Sequence, residues 1–264
     1  MIPYYDFSAW TIRGVTFYTF GFLVAVGTLV GHYVTMRRAR ALGLRPLSTV
    51  DFFALTVFTG GYLFGHCLDA IFYHPETVRR DPWELLMVHH GLSSFGGILG
   101  AVLSGVVFIR IKKLHPWVFA DLCTYAFPFG WLFGRLGCAV VHDHRGVRTD
   151  SILAVRFPDG PRYDLGLIEF ALTPLLIALV VGVSRRTKRP GMISGALAIA
   201  YATMRFPLDF LRAYDLGSDG DPRYGGLTPA QWACFSMFAL GVWLLHRART
   251  NEPFPPEAPA ATSA

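Results

Sequence analysis

Apolar residues gather into seven long runs, at 14–36, 51–73, 91–111, 117–141, 165–184, 191–211 and 228–246. Each run is close to the length, about 20 residues, that a helix needs to cross the hydrocarbon layer. Polar residues are concentrated in the gaps, and the gaps differ in charge. Basic clusters follow alternate runs: Arg37, Arg38, Arg40 and Arg45 after the first, and Arg110, Lys112 and Lys113 after the third. Arg185, Arg186, Lys188 and Arg189 follow the fifth, and Arg247 and Arg249 follow the seventh. Cytoplasmic loops carry the excess of Lys and Arg, so this alternation puts the N-terminus outside and the C-terminus inside. The pattern predicts an all-α polytopic membrane protein with seven transmembrane helices and small outer loops. The first run lacks a short apolar region with a small-residue cleavage site, and reads as an anchor. Residues 1–250 read as a single transmembrane domain. Residues 251–264 dissolve into Pro and Ala and read as a disordered cytoplasmic tail.

Composition agrees. Of the 264 residues 53% are hydrophobic and 16% are charged, where a soluble domain carries about 25% charged residues. The net charge of +6 sits in small clusters between apolar runs, which excludes a nucleic-acid-binding surface. Cys67, Cys123, Cys138 and Cys234 occur singly, so no disulfide framework is visible. The outer loops 74–90, 142–164 and 212–227 take their basic residues only as arginine: Arg79, Arg80, Arg145, Arg148, Arg156, Arg162, Arg212 and Arg223. Arginine grips phosphate and carboxylate with a planar fork that lysine lacks. Within 142–164, Ser151–Phe157 predicts a short strand.

Ionisable residues at membrane depth cost about 2.5–3.5 kcal/mol to insert and mark function. The fourth run reaches Arg135 while still apolar, and His142, Asp143 and His144 follow. Histidines in this spacing are candidates for acid–base work or metal binding. Without a clear third ligand, no metal and no cofactor is expected. The sixth run ends with Tyr201, Arg205, Pro207, Asp209 and Arg212. Arg205 and Asp209 are spaced to face each other on a helix, and Pro207 predicts a kink. Arg135 and Arg205, on different helices, make a natural clamp for one phosphodiester. In the second run His66 and Asp69 lie about one turn apart. The third run opens with His89, His90, Gly91, Ser93, Gly96 and Gly97, small enough for a helix or a lipid headgroup to approach the backbone.

These residues resemble the prolipoprotein diacylglyceryl transferases of bacteria over nearly the whole length. The resemblance rests on the seven runs, the Gly/Ser motif of the third, the Pro128-Phe129-Gly130…Gly134-Arg135-Leu136-Gly137 block and the Tyr201…Arg205…Asp209…Arg212 block. It implies a multi-pass enzyme of the bacterial inner membrane with a periplasmic N-terminus. The implied reaction moves the diacylglyceryl group of phosphatidylglycerol onto the lipobox cysteine of a preprolipoprotein signal peptide. By the same resemblance Arg135 is the phospholipid-binding arginine, Arg205 the essential arginine of the sixth span, and Tyr201 the tyrosine one turn before it, a catalytic candidate with them. Asp143 and Asp209 stand where the family has glutamates. Gly146 matches a required glycine, and Arg212 a nearby arginine. Gly91, Ser93, Gly96 and Gly97 fall in the substrate-binding motif. The chain also departs from the family. The signature asparagine is Cys138, the histidine of the third span falls on Phe95, an arginine of the second is His66, and a tyrosine near the start of the first falls on Gly14, close to Tyr18. His142, His144, His89 and His90 are the candidates to replace the missing histidine.

The implied mechanism is displacement at the glycerol carbon. His142, His144 or ionised Tyr201 takes the thiol proton, while Arg135 and Arg205 stabilise the departing phosphate ester. Two other classes stay open: a diverged member acting on another lipid donor or acceptor, and a noncatalytic lipid-binding membrane protein. A transporter is disfavoured, because the ionisable residues gather towards one face.

Overall fold

The computed structural model describes residues 1–73, 75–86, 94–216 and 223–254. The described chain is mostly helical. Its elements are β1 (Ile2–Pro3), β2 (Ala9–Ile12), β3 (Val15–Tyr18), α1 (Thr19–Ala41), α2 (Leu47–Tyr73), α3 (Pro75–Arg80), α4 (Ser94–Ile111) and α5 (Pro116–Val141). They continue with β4 (Arg145–Arg148), β5 (Val155–Phe157), β6 (Gly160–Asp164), α6 (Leu165–Arg186), α7 (Met192–Leu208) and α8 (Pro229–Thr250). Two 3₁₀ turns, Pro82–Leu86 and Asp209–Leu211, complete the set. Among the described residues three helical segments, Thr19–Ala41, Leu47–Ile71 and Leu165–Arg186, are long and apolar enough on their own to cross a membrane. The chain is an integral membrane protein.

The chain divides into two compact units, Thr35–Phe119 and Met1–Val34 with Ala120–Pro255. In the first, α2 packs on α4 through small residues. A Cβ added to Gly96 would lie 2.7 Å from the Phe64 carbonyl oxygen, and one on Gly61 would lie 3.0 Å from that of Gly97. Lipid tails are as apolar as leucine, so helices in a bilayer gain from close backbone approach rather than from large apolar side chains. The outward faces of this pair carry exposed Leu55, Phe58, Leu63, Val102, Val106 and Val107, as lipid contact requires.

The second unit follows the same rule where α1 meets α5 at Gly27 and Gly130: a Cβ on Gly27 would lie 2.6 Å from the Gly130 oxygen. The start of α7 is capped from a distance. Gly191 occupies its N-cap with φ of 96° and no side chain to offer. Asp121 of α5 supplies the acceptor instead, taking the amides of Gly191 and Ser194, each at 2.8 Å, and the Ser194 hydroxyl at 2.7 Å. A carboxylate is the favoured partner for those orphan donors.

A purely helical fold was expected, and the unit corrects that. It carries a four-stranded sheet in the order β1-β5-β6-β4, with β1 parallel to β5 and the other pairs antiparallel. Its strands are two to five residues long and rich in Arg, Gly and Pro, so they lack the alternation that betrays a strand. The strand expected over Ser151–Phe157 is confined to Val155–Phe157. A second sheet pairs β2 with β3 across Arg13 and Gly14, both at positive φ (48° and 81°). Hairpin turns demand that geometry, and it moves the start of the first helix to Thr19. Pro207 does not kink α7 midway. The helix gives way to a 3₁₀ turn at Asp209, one residue after its end at Leu208.

The sheet is tied to the segment after α7 by Arg162 of β6, which is fully buried. Its guanidinium donates to both oxygens of Asp215, at 2.8 and 2.7 Å, to Asp159 at 2.9 Å and to the Gly146 carbonyl at 3.2 Å. Those bonds hold the Asp215 carboxyl down from 3.8 to about 2. A carboxyl whose native pKa lies below its unfolded value stabilises the fold above the unfolded pKa, and that contribution is lost as pH falls through the native one. Acid titration of the protein in detergent is therefore expected to lower its unfolding midpoint between 3.8 and about 2. Asp215→Asn should flatten that part of the profile. An unchanged slope would show that the clamp contributes nothing.

Candidate active site

Four helix ends and the sheet build the site. Near its C-terminus α5 presents Trp131, Arg135 and Cys138. The helix stops because His142 adopts a left-handed conformation (φ 53°), the usual way a helix is closed. That turn carries Asp143 and His144 back towards Arg135. Asp164 opens α6, its side chain accepting the Leu167 amide at 3.0 Å, and one turn further on α6 presents Glu169. The end of α7 supplies Tyr201, Arg205 and Asp209, and Thr228 caps α8 in a capping box with Gln231.

At the centre lies Glu169, with no exposed surface. Arg135 Nη2 approaches Glu169 Oε2 at 3.0 Å, and Arg205 Nη1 donates to Oε1. The two arginines do converge, but upon a protein carboxylate. Arg205 Nη2 also meets Asp209 Oδ1 at 2.7 Å, as the helical spacing predicts, and Arg212 Nη1 lies 4.0 Å from the same oxygen. Thr228 donates its hydroxyl to the second oxygen of Asp209, and Gln231 Nε2 donates to the Phe206 carbonyl at 3.1 Å. The N-terminus of α8 thereby locks the end of α7. Arg135, Arg205 and Arg212 set against Glu169 and Asp209 leave one excess positive charge.

Arg135 Nη1 lies 3.4 Å from His144 Nε2, and His144 Nδ1 lies 2.5 Å from Asp143 Oδ1. A guanidinium can only donate, so Nε2 is the acceptor and Nδ1 carries the hydrogen given to Asp143. That tautomer aims a basic lone pair into the site. His142 Nδ1 is bound instead to Asp164 Oδ2 at 2.5 Å, and its ring lies against Tyr4 and Phe157, at centroid distances of 4.8 and 5.5 Å. Burial raises the Asp164 carboxyl above its ordinary range, against the opposing pull of the His142 bond. The Tyr201 ring meets the Trp131 ring edge-on at a centroid distance of 6.5 Å, and the Arg135 guanidinium lies 4.4 Å over the Trp131 ring. Arg135 Nε and Trp131 Nε1 are buried donors with no hydrogen-bond partner among the described residues. Buried polar groups are normally paired; in the same cluster Glu169 Oε2 and Asp209 Oδ1 are likewise without a hydrogen bond among the described residues, though each lies in an ion pair.

Ligand atoms of Cys138, Asp143 and His144 lie within 4.8 Å of one another. Arg135 Nη1 sits 3.9 Å from the Cys138 sulfur and against His144, so a metal cation there would face a guanidinium.

Gly146 is explained by space. A Cβ would lie 2.7 Å from the Leu211 carbonyl oxygen and 2.9 Å from Tyr163 Cβ. Its absence lets Gly146 pair with Arg212 and the Ala213 amide reach the Arg145 carbonyl at 3.4 Å. Beside that junction is a cavity of about 360 Å³ lined by Val141, His142, Asp143, Arg145, Arg212, Ala213 and Leu216.

Arg135, Tyr201, Arg205, Asp209, Arg212, His142, Asp143, His144 and Gly146 thus gather in one unit. Gly96 and Gly97 belong to the other and pack against α2. Gly91, Ser93, His89 and His90 lie outside the described residues. Sequence reasoning passed over Glu169, Thr228, Trp131 and Asp164. Glu169 did leave a signal, as a lone acid within the fifth apolar run, and the argument that singled out Arg135 applies to it equally.

Residues 8–247 match the family model described as prolipoprotein diacylglyceryl transferase. The chain is 31% identical over 249 residues to a phosphatidylglycerol–prolipoprotein diacylglyceryl transferase of Nitratidesulfovibrio vulgaris, covering 92% of this chain and 94% of that one. Proteins of the same name are 31% identical in Allorhizobium ampelinum, over 94% of this chain and 91% of the relative, and 31% identical in Geobacter sulfurreducens, over 91% and 94%.

Removing one partner from a buried ionic cluster strands the others at a cost of about 3–5 kcal/mol. Glu169→Ala is accordingly expected to destabilise the protein by about that much, read as its unfolding midpoint in detergent. An unchanged midpoint would mean that water or lipid already compensates the two guanidinium groups.

Proposed function

The chain belongs to the prolipoprotein diacylglyceryl transferase family, and from that premise we propose that it transfers the diacylglyceryl group of phosphatidylglycerol to the lipobox cysteine of preprolipoproteins. The observation that carries this reading is the convergence of Arg135 and Arg205 on Glu169, beside two buried donors without partners. The single excess positive charge of the cluster suits a phosphodiester, which is a monoanion. Glu169 holds both guanidinium groups in place before the lipid arrives, so no reorganisation is needed as charge develops. Arg135 Nε and Trp131 Nε1 offer the phosphate two further hydrogen bonds.

In the proposed reaction the cysteine sulfur attacks the glyceryl carbon. A carbon–sulfur bond forms and the carbon–oxygen bond to phosphate breaks. The bonding pair leaves with glycerol phosphate, and the thiol proton passes to a base. A free thiol has a pKa of about 8.5, and the thiolate is the nucleophile. His144 is the favoured base among the three candidates, because its Nε2 faces the site while Asp143 orients the ring. His142 turns its Nδ1 to Asp164 instead. Trp131, with Tyr201 against its edge, supports Arg135, and Asp209 holds Arg205.

The seven long helices α1, α2 and α4–α8 are taken to span the inner membrane, with the N-terminus periplasmic and the C-terminus cytoplasmic. The basic residues at the ends of α1, α4, α6 and α8 support this orientation. Residues 1–250 form the transferase body. The acyl chains need no dedicated lock and remain among the apolar helices.

The test is the intact mass of a lipobox peptide incubated with the purified protein in phosphatidylglycerol vesicles. The wild type is expected to add one diacylglyceryl group per cysteine. Arg135→Ala should abolish the addition, and undiminished transfer would sink the assignment. His144→Ala is expected to lower kcat by about 10²–10⁴-fold, the usual worth of a positioned base, and to restore part of that rate at higher pH, where more of the acceptor is thiolate. A pH-independent defect would make His144 structural.

A further inference from the structure

We propose that the cavity lined by His142, Asp143, Arg145 and Arg212 receives the glycerol phosphate leaving group, with Arg145 as its second cation. The proposal rests on the transferase reading and adds to it a product site. Its volume of about 360 Å³ lies near the low end of small-molecule sites, about 300–1,000 Å³. Four of its seven lining residues are ionisable, which suits a polar occupant and not an acyl chain.

The cavity adjoins the reacting centre through two chains of contacts. On one wall Asp143 is bound to His144, whose other nitrogen faces Arg135. On the other, Arg212 lies 4.0 Å from the Asp209 oxygen that also holds Arg205. A phosphate leaving Arg135 and Arg205 therefore finds Arg212 next. The Gly146–Arg212 pairing and the bond from the Ala213 amide to the Arg145 carbonyl fix Arg145 and Arg212 on adjacent backbone segments. Arg145 is exposed, its guanidinium 5.5 Å over the Phe157 ring, where it can turn to the cavity without breaking a buried bond.

Charge decides which ligand the cavity prefers. Phosphatidylglycerol is a diester with one negative charge, which the excess charge of the central cluster already matches. Cleavage turns the phosphate into a monoester carrying about −1.5 to −2 at neutral pH. That extra charge calls for an additional cation, and Arg145 provides it. Asp143 also lines the cavity, and its negative charge is offset once His144, bound to it, has taken the thiol proton. The cavity thus favours product over substrate, and draws the phosphate away from the carbon it has just left.

Two readouts on the full-length protein in phosphatidylglycerol nanodiscs test this, comparing the wild type with Arg145→Gln and Arg145→Lys. One is inhibition of peptide lipidation by added glycerol phosphate. The other is direct binding of glycerol phosphate followed by phosphorus NMR. Arg145→Gln is expected to weaken both by about tenfold, the worth of one charge-assisted hydrogen bond, and Arg145→Lys by less. The KM for phosphatidylglycerol should stay where it is. Unchanged glycerol phosphate binding overturns the proposal whether or not transfer occurs. A KM for phosphatidylglycerol that rises in step also overturns it, by making Arg145 part of a headgroup site. If binding depends on Arg145 but the wild type transfers nothing to the peptide, the anion site stands and the transferase reading falls.

Discussion

Two guanidinium groups cannot lie side by side among apolar helices unless a carboxylate lies between them, and Glu169 of α6 meets that condition for Arg135 and Arg205. In a low-dielectric surrounding an uncompensated buried charge is prohibitive, so the ends of α5 and α7 come together only because α6 carries an acid at the right depth. Asp209 and Thr228 repeat the device one turn further on and draw in the start of α8. The positions of four helix ends are consequences of a single ionic cluster. The cluster is also nearly neutral, which is what allows it to exist at membrane depth and still leave a small positive surplus for an anion.

The histidine chemistry follows from the same arrangement. Because Arg135 can only donate, it settles the tautomer of His144, and Asp143 settles the orientation of the ring. A phosphate that takes over Arg135 would at once release the Nε2 lone pair. Binding the lipid and arming the base are then one event. The paired Asp143 and His144 stand on the turn just after α5, on a segment that the left-handed residue His142 swings back over the helix.

Much of this was legible in the sequence. The long helices announce themselves because a membrane span is long and uniformly apolar, and the i, i+4 spacing of Arg205 and Asp209 foretold their pairing. The small sheet was hidden. Its strands are short, Arg-rich and Gly-rich, and β1 pairs with β5 from the far side of the chain, a contact that no local pattern encodes. Glu169 was hidden differently. A lone acid in an apolar run is a fainter mark than clustered basic residues, although its cost in the membrane is of the same kind as arginine's. Gly146 was recognised by likeness alone, and only the Leu211 carbonyl against it explains why no side chain fits. Trp131 and Thr228 left no signal, since an aromatic and a threonine are commonplace in such helices.

The account rests on Glu169 presenting two arginines to one phosphate. The most direct measurement is an experimental structure of the protein in nanodiscs of phosphatidylglycerol. The account predicts lipid phosphate within hydrogen-bonding distance of both Arg135 and Arg205, with Glu169 still bridging them and His144 no longer bound to Arg135. A phosphate bound elsewhere, with the two guanidinium groups closed on Glu169 alone, would contradict it.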